Sequence, residues 1–112
     1  MADFYGSESG KNLRKLRQLK PDMFKGFMDF DQTVFADGAL ASKTKELMAI
    51  TAAHVTQCPW CIDAHVKRAK DKGVTDEEIA EAVFVAMAMR AGAAFSHGAI
   101  AMGTAEAHTH KS

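Results

Sequence analysis

Two stretches of this 112-residue chain, Leu47–Val55 (LMAITAAHV) and Ile79–Met89 (IAEAVFVAMAM), are apolar on nearly every side at helical spacing. A lone surface helix needs only one apolar stripe, and a chain this short has little room to bury two such helices in a core of its own. The expected architecture is therefore all-α, with at least one helix buried against copies of the same chain. No segment alternates with period two, and no Asn-Gly or Asp-Gly turn joins two strand-like runs.

Helix signals divide the chain into five or six helices. Residues 1–10, with Gly6, Ser7, Ser9 and Gly10, have little to bury and are expected to fray. Leu13, Leu16 and Leu19 make a short amphipathic helix over 12–19 whose outer face carries Arg14, Lys15 and Arg17. Pro21 suits the first turn of a second helix, where its missing N–H is not needed. Met23, Phe24, Phe27, Met28, Val34 and Phe35 then form a stripe suited to core or subunit contact, and Asp37-Gly38 marks the stop. Ser42 is placed to cap a third, central and buried helix over about 43–55. Pro59 opens the fourth with Cys58 at its N-cap, and Gly73 ends it. Thr75-x-x-Glu78 reads as a capping box for the fifth. Gly92 is expected to kink or break that helix, with a last apolar helix running to about Glu106. No repeat or linker divides the chain, so 1–112 is read as one domain with its core at about 40–102 and frayed tails, the last carrying His108 and His110.

Fourteen basic residues balance fourteen acidic ones, which gives no electrostatic reason to expect nucleic acid or an anionic membrane as partner. The opening MADFYGSESGKN is polar and unlike a secretory signal, and the run Ile79–Met89 is short of a membrane span. The expected location is the cytoplasm. There a closely spaced cysteine pair suggests catalysis or metal binding before a structural disulfide.

The chemistry gathers in Glu46–Lys67, ELMAITAAHVTQCPWCIDAHVK, which holds both cysteines, the only tryptophan, and His54 and His65 among the five histidines. Cys58 at a helix N-cap faces unpaired N–H groups and the positive end of the helix dipole, both of which favour a thiolate. Local physics thus makes Cys58 the more acidic thiol. Cys61 and His65 are four apart on one face, so the imidazole can take the thiol proton. Stepping about 100° per residue places Cys58, Cys61 and His65 within roughly 60° around the axis. Glu46 lies about 15 Å before the end of the preceding helix. A tight antiparallel hairpin would bring it beside His65, giving a relay Glu46–His65–Cys61. As a plain first-turn acid it would serve only the helix dipole. His54, Trp60 and His97 are possible site-lining residues, with Trp60 a lid or docking surface for a disulfide partner; His54 and His97 are otherwise ordinary helix residues.

The pattern E-x11-C-x2-C-x3-H, within ELMAITAAHVTQCPWCIDAHVKRA and followed by TDEEIAEAVFVAMAMRAGAAFSHG, resembles the carboxymuconolactone decarboxylase superfamily. Within it the chain is similar to the alkylhydroperoxidase AhpD-like branch, most closely over about 40–102. The resemblance implies an AhpD-like all-α fold, trimers or hexamers, no cofactor, and a thiol-dependent peroxidase or disulfide reductase. It also implies that Cys61 attacks the peroxide, that His65 aided by Glu46 is its base, and that Cys58 resolves the intermediate. This order of attack runs against the local acidity argument. A lipoyl-carrying or other dithiol would be the reductant. Trp60 stands where the best-known member has a histidine, so that residue's role does not carry over. The namesake decarboxylases lack the cysteine pair, which makes a lactone decarboxylase the wrong branch.

Three other readings compete. Cys58, Cys61 and His65 with His54 or His97 could hold zinc, although the usual second, distant ligand pair is missing. CPWC suggests a thioredoxin-like dithiol, but that fold places its cysteines after a strand, and ELMAITAAHV reads as helix. The third is an oligomeric stress protein with only weak peroxidase activity.

Overall fold

The computed structural model describes residues 6–111 and is all-helical over them, with no β-strand among the described residues. Its helices are α1 (Ser9–Leu19), α2 (Pro21–Phe35), α3 (Ser42–Thr56), α4 (Pro59–Asp71) and α5 (Asp76–Lys111). The first of the expected frayed residues, 1–5, and the last residue of the tail lie outside the described residues.

Three helices make the packed unit. A two-residue link, Gln57-Cys58, reverses α3 into an antiparallel α4. Gln57 adopts the left-handed conformation at φ 59°, and the Cys58 N–H donates to the Ala53 carbonyl at 3.0 Å, closing the last turn of α3. A second tight reversal follows α4, where Gly73 sits at φ 83° and the Val74 N–H donates to the Ala69 carbonyl at 3.0 Å. A side chain at Gly73 would be strained by that backbone whatever the space around it. The Thr75–Glu78 capping box forms with both reciprocal bonds, 2.9 and 3.1 Å, and starts α5 parallel to α3.

The core between these helices is small. Ile50, Ala53, Ala69, Val74, Ala82 and Ala86 are buried, with Leu47, Val66, Ile79 and Val83 packed around them. The alanines let the helices approach closely. Two polar ties then fix their register: the Thr51 hydroxyl donates to the Ala82 carbonyl at 2.9 Å, and the Arg90 guanidinium donates to the Val55 carbonyl at 2.7 Å.

Three expectations are corrected. Ser42 is the first residue of α3 rather than its cap; the N-cap is Ala41, and the Ser42 N–H is satisfied by the Asp37 carboxylate at 2.7 Å. α3 is central without being buried all round, because Met48 and Val55 face outward. Gly92 does not break the last segment: Asp76–Lys111 is a single helix, which the neighbouring alanines help sustain.

That continuity has a consequence for shape. At 1.5 Å per residue α5 is about 54 Å long against about 22 Å for α3, so its half beyond Arg90 projects from the packed unit. The stretch Asp76–His110 is long and apolar enough, by length and composition alone, to cross a membrane, which the run Ile79–Met89 by itself is not. At the other end, α1 and α2 bury no residue. α2 is held to α3 through Lys45, whose ammonium donates to the Val34 and Ala36 carbonyls at 2.8 and 2.7 Å and so satisfies the C-terminal end of α2.

Candidate active site

The antiparallel hairpin of α3 and α4 sets a carboxylate from one helix against an imidazole from the other. Glu46 is 1% exposed, the only charged residue buried to that degree among the described residues. Its Oε1 lies 2.7 Å from His65 Nδ1, and its Oε2 lies 3.6 Å from the ammonium of Lys72. An ionised carboxylate can only accept, so Nδ1 carries the hydrogen and donates it. In neutral imidazole this leaves the lone pair on Nε2, the nitrogen free to take a proton. The ring of Phe35, at the end of α2, stacks on the His65 ring with centroids 5.0 Å apart and planes at 27°. The imidazole is thus held at one edge by Glu46 and on one face by Phe35.

The dithiol sits one turn away along α4. Cys58 and Cys61 are both free thiols and half-buried, with their sulfurs 2.6 Å apart. Cys58 caps the helix: its Sγ accepts the Cys61 backbone N–H at 3.3 Å. A negative charge on Cys58 therefore meets a backbone donor and the positive end of α4. The Cys61 thiol is pushed up to about 11, first by its hydrogen bond with Cys58, then by burial, then by the Cys58 charge. Cys61 and His65 share one face of α4 at i and i+4, one helical turn apart.

Three other residues were considered from the sequence. His54 is half-buried and its Nδ1 donates back to the Ile50 carbonyl of its own helix at 2.8 Å. His97 is exposed on α5, about two turns beyond Arg90. Among the described residues neither is hydrogen-bonded to the Glu46–His65 pair. Trp60 is half-buried between the two cysteines. No three His, Cys, Asp or Glu side chains among the described residues are grouped as a metal site.

Sequence reasoning missed two members of the site. In the sequence Lys72 is one of several cations that precede Gly73. Its spacing of seven from His65 returns it to the same face of α4, which was a usable signal. Phe35 belonged to an apolar stripe with no mark distinguishing it from Phe24 or Phe27.

Comparison with known proteins agrees with this fold. The sequence model of the carboxymuconolactone decarboxylase family matches residues 21–103. A protein of the cox locus of Paracoccus denitrificans is 46% identical over 97 residues, 87% of each chain. Among solved structures, a Methanobacterium thermoautotrophicum protein superposes with a TM-score of 0.72 at 28% identity, over 76% of this chain and 96% of its own. A carboxymuconolactone decarboxylase family protein from Legionella pneumophila gives 0.66 at 38% identity over 71% of both chains. A Thermotoga maritima member, described as having a suggested involvement in antioxidative response, gives 0.58 at 38% identity, covering 71% of this chain and 82% of its own.

Proposed function

The chain belongs to the carboxymuconolactone decarboxylase family, and from that premise and the site geometry we propose that it is a thiol-dependent hydroperoxide reductase of the AhpD-like kind. The observation that carries the reading is the 2.7 Å Glu46–His65 bond set one turn from a cysteine pair at a helix N-terminus. A structural dithiol has no use for a buried carboxylate orienting an imidazole beside it. The antioxidative involvement suggested for the Thermotoga maritima relative points the same way.

In the proposed cycle, His65 Nε2 takes one proton from the dithiol, and the imidazolium draws the remaining negative charge toward Cys61. The Cys61 thiolate attacks the outer oxygen of ROOH, forming an S–O bond as the O–O bond breaks. The leaving RO⁻ takes the proton from His65, giving ROH and Cys61 sulfenic acid. Cys58, 2.6 Å away, then attacks the Cys61 sulfur and expels water, leaving a disulfide. A dithiol reductant, lipoyl-type or other, returns both cysteines to thiols. The role of Cys61 follows the family resemblance. The favourable N-cap environment of Cys58 fits the second step, in which it must be the attacking thiolate. Such a cycle suits a reducing compartment, and we place it in the cytoplasm.

The test is a thiol titration of reduced protein before and after one equivalent of hydroperoxide. Two thiols per chain should disappear and return with dihydrolipoamide. Retention of both thiols would sink the reading.

We also propose that the protein works as a homo-oligomer, a trimer or hexamer. The accessible surface is 8492 Å² for 12.1 kDa, whereas a monomer of that mass is expected to expose about 6,000 Å². The radius of gyration is 19.4 Å against about 13 Å for a compact chain of this length. The excess lies on α1–α2 and the projecting half of α5, where Leu16, Met23, Phe30 and Phe95 are exposed, Phe95 at 86%. Other copies would cover these surfaces. Light scattering on detergent-free protein should give a multiple of 12.1 kDa. A monodisperse monomer would refute this, as would recovery only with membranes, the alternative that α5 permits.

A further inference from the structure

Glu46 is buried, and the proposed relay uses only one of its two carboxylate oxygens. Oε1 is taken by His65. Oε2 is paired with Lys72, and Glu46 borders a cleft of about 290 Å³ walled by Met28, Asp31 and Phe35 of α2 and by Arg68 and Lys72 of α4. The second cation there, Arg68, is engaged by Asp31 at 3.7 Å. Among the described residues, Lys72 is the one lysine or arginine paired with Glu46.

We propose that Lys72 is a positioning residue for the site: by holding Oε2 it stops the Glu46 carboxylate from rotating, and so keeps Oε1 aimed at His65 Nδ1. The inference rests on reading Glu46–His65 as the proton relay. A carboxylate can turn about its Cγ–Cδ bond, and a buried oxygen without a partner would draw the group toward any other donor within reach. The ammonium at 3.6 Å removes that option. It also supplies a fixed counter-charge to a carboxylate that is otherwise cut off from solvent. Lys72 is suited to this because it is the C-cap of α4, one residue before the tight Gly73 turn, so its backbone is fixed while its stem lies along the cleft. Its side chain is 36% exposed, which lets it serve a buried group without being buried itself. Phe35 acts on the same ring from the other side; the stacked face and the aligned edge together leave His65 one orientation.

The experiment reads the imidazole directly. Ring ¹⁵N shifts of His65, assigned by difference with His65→Gln, should show a single Nδ1–H tautomer in the reduced wild-type protein at neutral pH. In Lys72→Met the shifts should move to tautomer-averaged values, and trapping of the dithiol by iodoacetamide should slow by about tenfold. Lys72→Arg should restore the single tautomer and bring trapping to within about twofold of wild type. Lys72→Gln replaces Lys72→Met, with the same expectation, should the latter fail to fold. Wild-type shifts and trapping rates in the methionine or glutamine variant would overturn the proposal, and so would a lower melting temperature with an unchanged tautomer. Hydroperoxide turnover is measured alongside: its absence from the wild-type protein would refute the proposed activity, while the ring shifts would still decide the role of Lys72.

Discussion

Cys61→Ser is expected to abolish hydroperoxide reduction, lowering turnover by roughly three orders of magnitude, because the variant lacks the sulfur that forms the S–O bond. Cys58→Ser should behave differently. It retains the attacking thiol and its base, so one equivalent of peroxide should be consumed in a burst, after which turnover stops with sulfenic acid on Cys61. Dimedone labelling followed by peptide mass analysis reads this directly. The same variant carries a pH signature. The largest cause holding the Cys61 thiol at about 11 is its hydrogen bond with Cys58, and the Cys58 charge adds to it. Removing that sulfur takes away both, so Cys61 should ionise at lower pH in Cys58→Ser than in the wild-type dithiol. Thiolate absorbance followed against pH checks the sign. Should Cys61→Ser keep a wild-type burst while Cys58→Ser has none, the two sulfurs exchange roles, as the N-cap argument alone would have it.

Glu46→Gln is expected to lower turnover by about ten- to a hundredfold while preserving the fold. The amide is nearly isosteric with the carboxylate and its oxygen can still accept from His65 Nδ1. What it loses is the charge that stabilises an imidazolium, which the first step of the cycle generates. It also leaves Lys72 facing a neutral group. Since the Lys72 side chain is 36% exposed and can turn to water, the stability cost should be modest, about 1–2 kcal/mol. Glu46→Leu is the harsher change, because the half-buried His65 then keeps a donor with no acceptor, and its cost should be larger. Urea denaturation of both variants beside steady-state peroxide assays separates the effects. Wild-type turnover in a stably folded Glu46→Gln protein would remove the carboxylate from the mechanism.

The contrast between the missed and the recognised residues follows from what a local pattern can encode. The N-cap position of Cys58, the capping box at Thr75 and the turn at Gly73 depend on the residue itself and its neighbours within one turn, so they are legible in sequence. Gly92 shows the limit of the same reasoning. A glycine costs about 1 kcal/mol in a helix interior, too little to stop a long alanine-rich helix. Met48 and Val55 show another: an all-apolar helix was expected to be buried all round, but within the protomer α4 and α5 supply most of the packing against α3, and α2 only touches it. Phe35 could not be singled out because stacking on His65 depends on where the end of α2 is pinned. Lys45 sets that position with two bonds to carbonyls nine and eleven residues away.

The amino-acid sequence by itself determined that the chain is helical, where its turns fall, and that a dithiol at a helix N-terminus shares a face with a histidine. These are consequences of covalent order and a 3.6-residue period, and they hold before any helix meets another. Only the tertiary structure decided what Glu46 does with its two oxygens. That outcome rests on the approach of α3 to α4, set by the left-handed Gln57 link and by alanines at 53 and 69 small enough to admit close packing. The hairpin carries Glu46 into a buried position, where a carboxylate must find partners. It finds His65 on one side and Lys72 on the other.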